Sequence, residues 1–281
     1  MTVTSRPPFR VRDVLRTFAL LLLAALFLLP FLLVLRNAFA TDAQITAPQT
    51  LVFPFPPHVE NIPDLLSNDR VNILTGLRNS TVIAVLQTFF TILFSSMAGY
   101  GLARVPFRGR DVVFAVIIAT MMIPGAALFV PQYVLVAKLG WVNTLQGIVV
   151  PGLFSAFNCF MFRQFYLDFP KELEEAGRVD GLSWLGIFRF LALPNSRGII
   201  TALGLLTFIG SWNAFLWPLV IGQDASLWTV QVGISTLLTA QTVKLSQLFL
   251  ASLFAILPLV VIFLVGQRWI AEGVKMSGSK G

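Results

Sequence analysis

Six apolar runs without a charged residue divide the chain, at positions 18–35, 80–103, 112–137, 145–162, 198–223 and 245–267. Each reaches the length of about 18 residues that a helix needs to cross bilayer hydrocarbon. Lipid offers no partner to a free N–H or C=O, so a spanning run must close its own hydrogen bonds, and a helix does this within one segment. The first run carries ten Leu, three Phe and one Val. At about −0.3 to −0.6 kcal/mol each near the centre of a span, these favour insertion by several kcal/mol. The pattern predicts an all-α membrane protein with six transmembrane helices. Pro124 and Pro131 fall inside the third run. Each removes a helical hydrogen bond, so a kink or break is expected there.

The polar segments between the runs set the orientation. With the N-terminus in the cytoplasm, fifteen of the twenty Lys and Arg residues fall on inside segments and five outside. That asymmetry predicts that both termini are cytoplasmic. Residues 1–17 then form a cytoplasmic N-terminus, 36–79 an extracytoplasmic loop, 104–111 a tight basic inside turn and 163–197 a long inside segment. Residues 224–244 form a second outside loop and 271–281 a cytoplasmic tail. The 36–79 loop contains Pro48, Pro54, Pro56, Pro57 and Pro63, which predicts extended irregular chain with a short helix near 62–66. The basic start, the Leu-rich run and Ala38-Phe39-Ala40 together resemble a cleavable leader. The run exceeds a leader core of about 7–15 residues and Arg36 interrupts it before the small residues, so an uncleaved anchor is expected.

Composition narrows the function classes. Of 281 residues 56% are hydrophobic and 12% charged, half the charge of about 25% usual in soluble domains. The net charge of +7 comes from residues flanking apolar runs, not from a soluble basic face, so nucleic acid is not an expected partner. Cys159 and His58 are the lone cysteine and histidine. They allow no intrachain disulfide, Cys-rich metal site or Cys/His catalytic pair. There is no G-x-x-x-x-G-K loop, so no ATP hydrolysis is expected from this chain. A membrane enzyme would need convergent catalytic groups that are missing here. An ion-coupled carrier acting alone would want ionisable residues within its spans, and the six runs have none.

The inside segment 163–197 has its own grammar. Asp168 can cap a helix and Pro170 suits a first turn. Glu172, Glu174 and Glu175 follow near the positive end of the helix dipole, then the small pair Ala176-Gly177. Asp180-Gly181 is a stop signal. Ser183 can cap a second short helix through Trp184, Ile187, Phe188 and Leu191, ended by Leu193-Pro194. The expectation is a helix–turn–helix on the inner membrane face, one surface small and acidic, the other carrying Trp184, Phe188 and Phe190 toward the bundle or lipid.

This segment resembles the Glu-Ala-Ala loop of permease subunits in binding-protein-dependent ABC importers. That pattern runs Glu-Ala-Ala, three residues, Gly, nine residues, Ile-x-Leu-Pro. Here it reads Glu175-Ala176-Gly177, three residues, Gly181, nine residues, Leu191-Ala192-Leu193-Pro194. Gly177 stands for the second Ala, at about 1 kcal/mol of helix propensity, and Leu191 for Ile. Further likeness to the carbohydrate-uptake branch, of the maltose-permease G-subunit type, covers nearly the whole chain. It is carried by Arg78-Asn79-Ser80, Ala98-Gly99-Tyr100-Gly101-Leu102-Ala103-Arg104, Met122-Ile123-Pro124, Trp212-Asn213-Ala214-Phe215 and Glu272-Gly273-Val274-Lys275.

The resemblance implies a non-catalytic permease half for a sugar, an oligosaccharide or related polyol. The 163–197 segment would be a coupling loop between helices 4 and 5, docked on a separate ATPase through Glu174, Glu175, Ala176, Gly177, Asp180, Gly181, Leu193 and Pro194. It also implies partners: a second, different permease chain, two cytoplasmic ATPase subunits that hold ATP and Mg, and an extracytoplasmic solute-binding protein meeting 36–79 and 224–244. No cofactor is implied in this chain. Glu272, Gly273 and Lys275 on the tail would reach the ATPase pair, where composition alone reads a frayed terminus. Polar residues within apolar runs mark a solute pathway or hydrogen bonds between helices. The candidates are Gln87, Thr91, Asn158, Ser211, Trp212 and Asn213, with Thr88 beside them. Trp228 reads equally as an interfacial residue or an anchor for the binding protein.

Overall fold

The computed structural model describes residues 11–48, 52–68, 71–239 and 243–278, with the side chains of Val11 and of 268–278 outside that description. Every regular element among the described residues is helical. The first run lies in α1 (Val11–Ala38), followed by the short α2 (Asp42–Thr46) and α3 (Asn61–Leu66). The second run lies in α4 (Ile73–Arg104), which starts earlier than the apolar pattern indicates. Asn72 sets this start, its Oδ1 accepting from Thr75 N at 3.0 Å, so the expected loop of 36–79 ends before Ile73.

The later runs are interrupted. The third forms α5 (Arg110–Met121) and α6 (Gly125–Lys138), bent by 102° at Pro124, while Pro131 stays inside α6. The fourth forms α7 (Leu145–Val149), a tight turn at Val150–Gly152 and α8 (Ala156–Leu167). The segment after it builds α9 (Lys171–Val179) and α10 (Trp184–Ile187), then a widened turn at Phe188–Ala192 and α11 (Leu193–Asn195). An 80° bend leads into α12 (Arg197–Trp212). The fifth run therefore stops at Asn213 and resumes as α13 (Leu216–Ile221). The expected loop of 224–244 contains a helix, α14 (Val230–Leu238), before α15 (Leu245–Gly278). Among the described residues four helical stretches (in α1, α4, α7 with α8, and α15) are long and apolar enough to cross a membrane, and up to six spans result if each bent pair is one.

Contacts divide the chain into two units. One comprises residues up to Ser67 with Leu237–Phe254. Its described residues 36–48 and 52–67 hold the short helix expected near 62–66, as α3, and irregular chain over 52–60, with Arg36 as a common donor. Arg36 is buried at the end of α1 and donates to Val52 O, Asn37 Oδ1 and Gln44 O at 3.0, 2.8 and 3.1 Å. A guanidinium presents donors in a fixed fork, so one side chain can hold three acceptors in place. Thr41 and Gln44 form a reciprocal capping box on α2, which satisfies two orphan donors at once. Asn61 donates to Ala38 O and Ala40 O, each at 3.0 Å, and Asp42 Oδ1 accepts from Ser246 N at 2.9 Å.

The second unit comprises 68–236 and the chain from Ala255. Its core is α4 packed against α8 and α12. Tyr100, Phe162, Tyr166, Phe188 and Leu203 form one buried cluster, and Ile83, Val136, Ile148, Val149 and Ile221 another. Asn79 donates to Ser226 O and Trp228 O at 2.7 and 3.0 Å, and Ser80 Oγ accepts from Val230 N at 2.9 Å. The Asn79-Ser80 pair thus fastens the start of α14 to α4. Helix α4 packs tightly on α8 at Gly99. A methyl group there would stand 2.6 Å from Phe162 Cβ and 2.8 Å from Arg163 N. We expect Gly99→Ala to cost about 1–3 kcal/mol through overpacking, measured as a lowered thermal midpoint of the detergent-solubilised chain; an unchanged midpoint would show that the two helices can part freely.

Candidate functional site

The 163–197 segment adopts the two short helices its sequence predicts, with corrections at both ends. Asp168 terminates α8 and does not cap α9, which begins after Pro170 without a side-chain cap. The α9 end is a Schellman turn. Leu182 N bonds Gly177 O at 2.9 Å and Gly181 N bonds Arg178 O at 3.0 Å, with Gly181 at φ +80°. Glycine takes this left-handed conformation without a Cβ penalty. Ser183 Oγ accepts from Gly186 N at 3.2 Å, the expected cap of α10. Leu193-Pro194 does not end the second helix. The widened turn directs Leu193 N to Phe188 O and Pro194 falls in the first turn of α11, where its missing N–H is tolerated.

The acidic residues of α9 divide by direction. Glu175 and Ala176 are exposed, as are Asp180, Gly181 and Pro194, while Leu193 is half-buried. Val179 is 88% exposed and Leu185 63%. Glu174 points inward and its Oε1 accepts from Arg104 Nε at 2.8 Å. Both side chains of the pair are buried, and Arg104 Nη2 also donates to Phe169 O at 3.0 Å. Gly177 is buried too, and its close neighbours belong to this chain. A methyl group there would stand 2.8 Å from Leu191 Cδ1 and 3.3 Å from Ile187 Cγ1. The substitution of Gly for Ala in the motif therefore has a local cause, the seating of the second helix on α9. Arg178 lies over the Trp184 ring at 3.9 Å. Phe188 is in the core and Phe190 is exposed.

A cavity of about 500 Å³ opens between α4, α6, α8 and α12. Gln87, Thr91, Asn158 and Ser211 line it; Trp212 and Asn213 do not. Trp212 is buried, stacks on Phe208 and donates its Nε1–H to Ala255 O at 3.1 Å. Asn213 is exposed and its Oδ1 accepts from Gln231 Nε2 at 3.2 Å. Among the lining residues not singled out from the sequence are Phe129, Gln132 and Trp217. Gln132 meets the criterion that selects Gln87, a polar residue in a charge-free run. Trp217 is held by a bond from Nε1 to Gly147 O at 3.2 Å and by an edge contact with Phe129. None of the lining side chains is charged.

Most of the polar lining already has work within the chain. Pro151 lacks an N–H and interrupts the fourth run, which releases carbonyls next to the cavity. Residues 87, 91 and 95 lie one turn apart on a single face of α4. Gln87 Nε2 donates to Ile148 O and Val149 O at 3.1 and 3.3 Å, and Thr91 Oγ1 to Gly152 O at 2.8 Å. Ser95 Oγ donates to Ser155 O at 3.2 Å and accepts from Ser155 N at 3.3 Å. Ser211 Oγ closes on Gln87 Oε1. Asn158 Nδ2 donates to Thr207 Oγ1 at 3.0 Å. Glu272, Gly273 and Lys275 fall on the last turns of α15, and their side chains lie outside the described residues.

Comparison with known proteins decides the family. Residues 91–276 match the family described as the binding-protein-dependent transport system inner membrane component. The chain belongs to this family. It is therefore a multi-pass inner-membrane permease, and the matched region contains the 163–197 segment, the residues lining the cavity except Gln87, and the Arg104–Glu174 pair. The permease is 31% identical to the arabinooligosaccharides transport system permease protein of Bacillus subtilis, over 98% of each chain. It is 32% identical to the lactose transport system permease protein of Rhizobium radiobacter, over 94% of this chain and 96% of the relative. It is 31% identical to the sn-glycerol-3-phosphate transport system permease protein of Yersinia pestis, over 93% and 95%. The fold is shared with a chain in the crystal structure of a bacterial ABC transporter involved in the import of the acidic polysaccharide alginate. That match has a TM-score of 0.81 at 21% identity and covers 94% of this permease and 99% of that chain.

The carbonyl ladder of the permease makes a direct prediction. Gln87→Leu strips the partner from Ile148 O and Val149 O, and an unsatisfied buried acceptor costs about 1–3 kcal/mol. The variant should unfold at lower temperature in detergent, whereas Asn213→Ala at an exposed position should not; equal midpoints for both would remove the structural role of Gln87.

Proposed function

We propose that this permease is one membrane half of an ATP-driven importer for a sugar, an oligosaccharide or related polyol. Its termini and the 163–197 segment face the cytoplasm, as the distribution of Lys and Arg favours; the bent pair α5–α6 counts as one span and α12, without the short helices before it, as another, which makes six with the four long helical stretches. The chain itself is non-catalytic. ATP and Mg belong to two cytoplasmic ATPase subunits, and a second permease completes the path. An extracytoplasmic solute-binding protein delivers the solute to the opposite face.

The observation that carries this reading is the division of α9 between a buried and an exposed side. Glu174 and Gly177 fix the helix to the chain, which leaves Glu175, Ala176 and Val179 as a free, rigid ledge. A ledge that small and acidic suits insertion into a groove with a basic rim. The cavity supports a neutral, hydroxyl-rich cargo. It offers the Trp217 and Phe129 rings and the Gln132 amide with no fixed charge, and the two relatives whose names specify a sugar point the same way. The tail at Glu272, Gly273 and Lys275 is assigned to the ATPase interface on the family pattern alone.

Proteoliposomes containing the permease pair, the ATPase and the binding protein test the assignment. Glu175→Lys should insert normally yet weaken ATPase association by about 2–5 kcal/mol, the range for a broken interfacial charge pair, with uptake lost in parallel. Unchanged co-purification and uptake would remove the docking role. Trp217→Ala should lower uptake of a neutral oligosaccharide while leaving ATPase association intact; normal uptake would take the cavity off the solute path.

A further inference from the structure

A buried, two-pronged contact holds the short coupling helix α9 to α4. Arg104 is the last residue of α4 and Glu174 lies in the first turn of α9. The guanidinium spans Glu174 Oε1 and Phe169 O, so it fixes both the acidic side chain and the backbone that enters α9. A planar fork with two acceptors sets orientation as well as distance, which a single ammonium cannot do. Because both side chains are buried, separating them would leave two charges unpaired in a poorly polarisable surrounding. The pair therefore moves as one body.

The same helix governs the cavity wall at its other end. Helix α4 runs from Ile73 to Arg104 without an internal proline, while the third, fourth and fifth runs are broken. Its Gln87, Thr91 and Ser95 hold the backbone at 148–155, and Gln87 also meets Ser211 of α12. A displacement applied to α9 thus has a continuous hydrogen-bonded route to the cavity. We infer that Arg104 and Glu174 are positioning residues that lock the coupling helix to α4, so that α4 acts as a rod transmitting motion from α9 to the wall of the cavity. The inference rests on the importer reading for the source of the motion, while the rigid connection itself belongs to this chain.

Two measurements on the full-length permease in the assembled complex test it. Spin labels at exposed Leu74 and Val179, in a Cys159→Ala background, report the distance along the rod. We expect a single narrow distribution in the parent protein and a broadened one in Glu174→Gln; equal widths would overturn the strut. In proteoliposomes, solute moved per ATP hydrolysed should fall about tenfold in Glu174→Gln, within the range for substitutions along a coupling route. Should Glu174→Gln fail to accumulate, Arg104→Lys tests the same point. It keeps the charge but loses the second acceptor, and should show an intermediate width and ratio. Parent-like values in Arg104→Lys would overturn the claim that the fork matters. A parent complex with no ATP-dependent uptake would sink the importer reading, and the label distances would still decide the strut.

Discussion

A membrane-spanning segment can be irregular only if its freed backbone groups find partners inside the protein. That constraint shapes the second unit of this permease. The fourth run breaks at Pro151, and the carbonyls of Ile148, Val149, Gly152 and Ser155 are met by Gln87, Thr91 and Ser95 from one stripe of α4. The break widens the space between the helices, and the stripe makes the break affordable. Cavity and ladder are two sides of one arrangement, because the turn that lines the cavity persists only while α4 supplies its donors.

The same helix meets a different requirement at its end. Arg104 carries a full charge into a buried setting, which is costly unless the charge is paired and hydrogen-bonded. Glu174 and Phe169 O meet that cost. The aromatic packing of Tyr100, Tyr166 and Phe188 surrounds the junction, and Ser196 Oγ, which donates to Ala192 O at 2.6 Å, pairs with the Tyr166 hydroxyl at 3.1 Å. Glycine permits close approaches here, at Gly99 between α4 and α8 and at Gly177 beneath Leu191. Short α9 has little stability of its own. Its place is set by the ion pair and the glycine seat, and its end by the local Schellman turn.

What the sequence disclosed follows from how local each signal is. The apolar runs, the break at Pro124, the Ser183 cap and the Asp180-Gly181 turn depend on neighbours within a few residues, and each was legible. The inward turn of Glu174 was not, because it depends on Arg104, seventy positions away in the chain. Helical periodicity could have raised it: Glu174 and Gly177 lie three apart and share a face, and Gly177 needs to be buried. Between Arg36 and Ser67 the prolines marked the irregular chain and the short helix near 62–66, but not the hydrogen bonds of Arg36, whose partners Gln44 and Val52 lie eight and sixteen positions on. Trp212 and Trp217 show the same limit. Both sit in one apolar run, but the stop at Asn213 reorients the chain, so the first faces α15 and the second the cavity.

The polar residues within the runs clarify why such residues are ambiguous markers of a pathway. A buried amide or hydroxyl in a membrane is costly unless bonded, so a partner within the protein and a passing solute compete for the same group. Gln87, Thr91 and Asn158 are claimed by carbonyls and a hydroxyl of this chain. A solute that took the same donors would have to displace those contacts and loosen the broken span. Rings carry no such conflict. Trp217 spends its N–H on Gly147 O and lines the cavity with its ring, so in the proposed role a sugar that met the ring would compete with no hydrogen bond of the wall. In the proposed role, then, the amides of α4 shape the passage and the aromatic residues of α6 and α13 meet what passes through it.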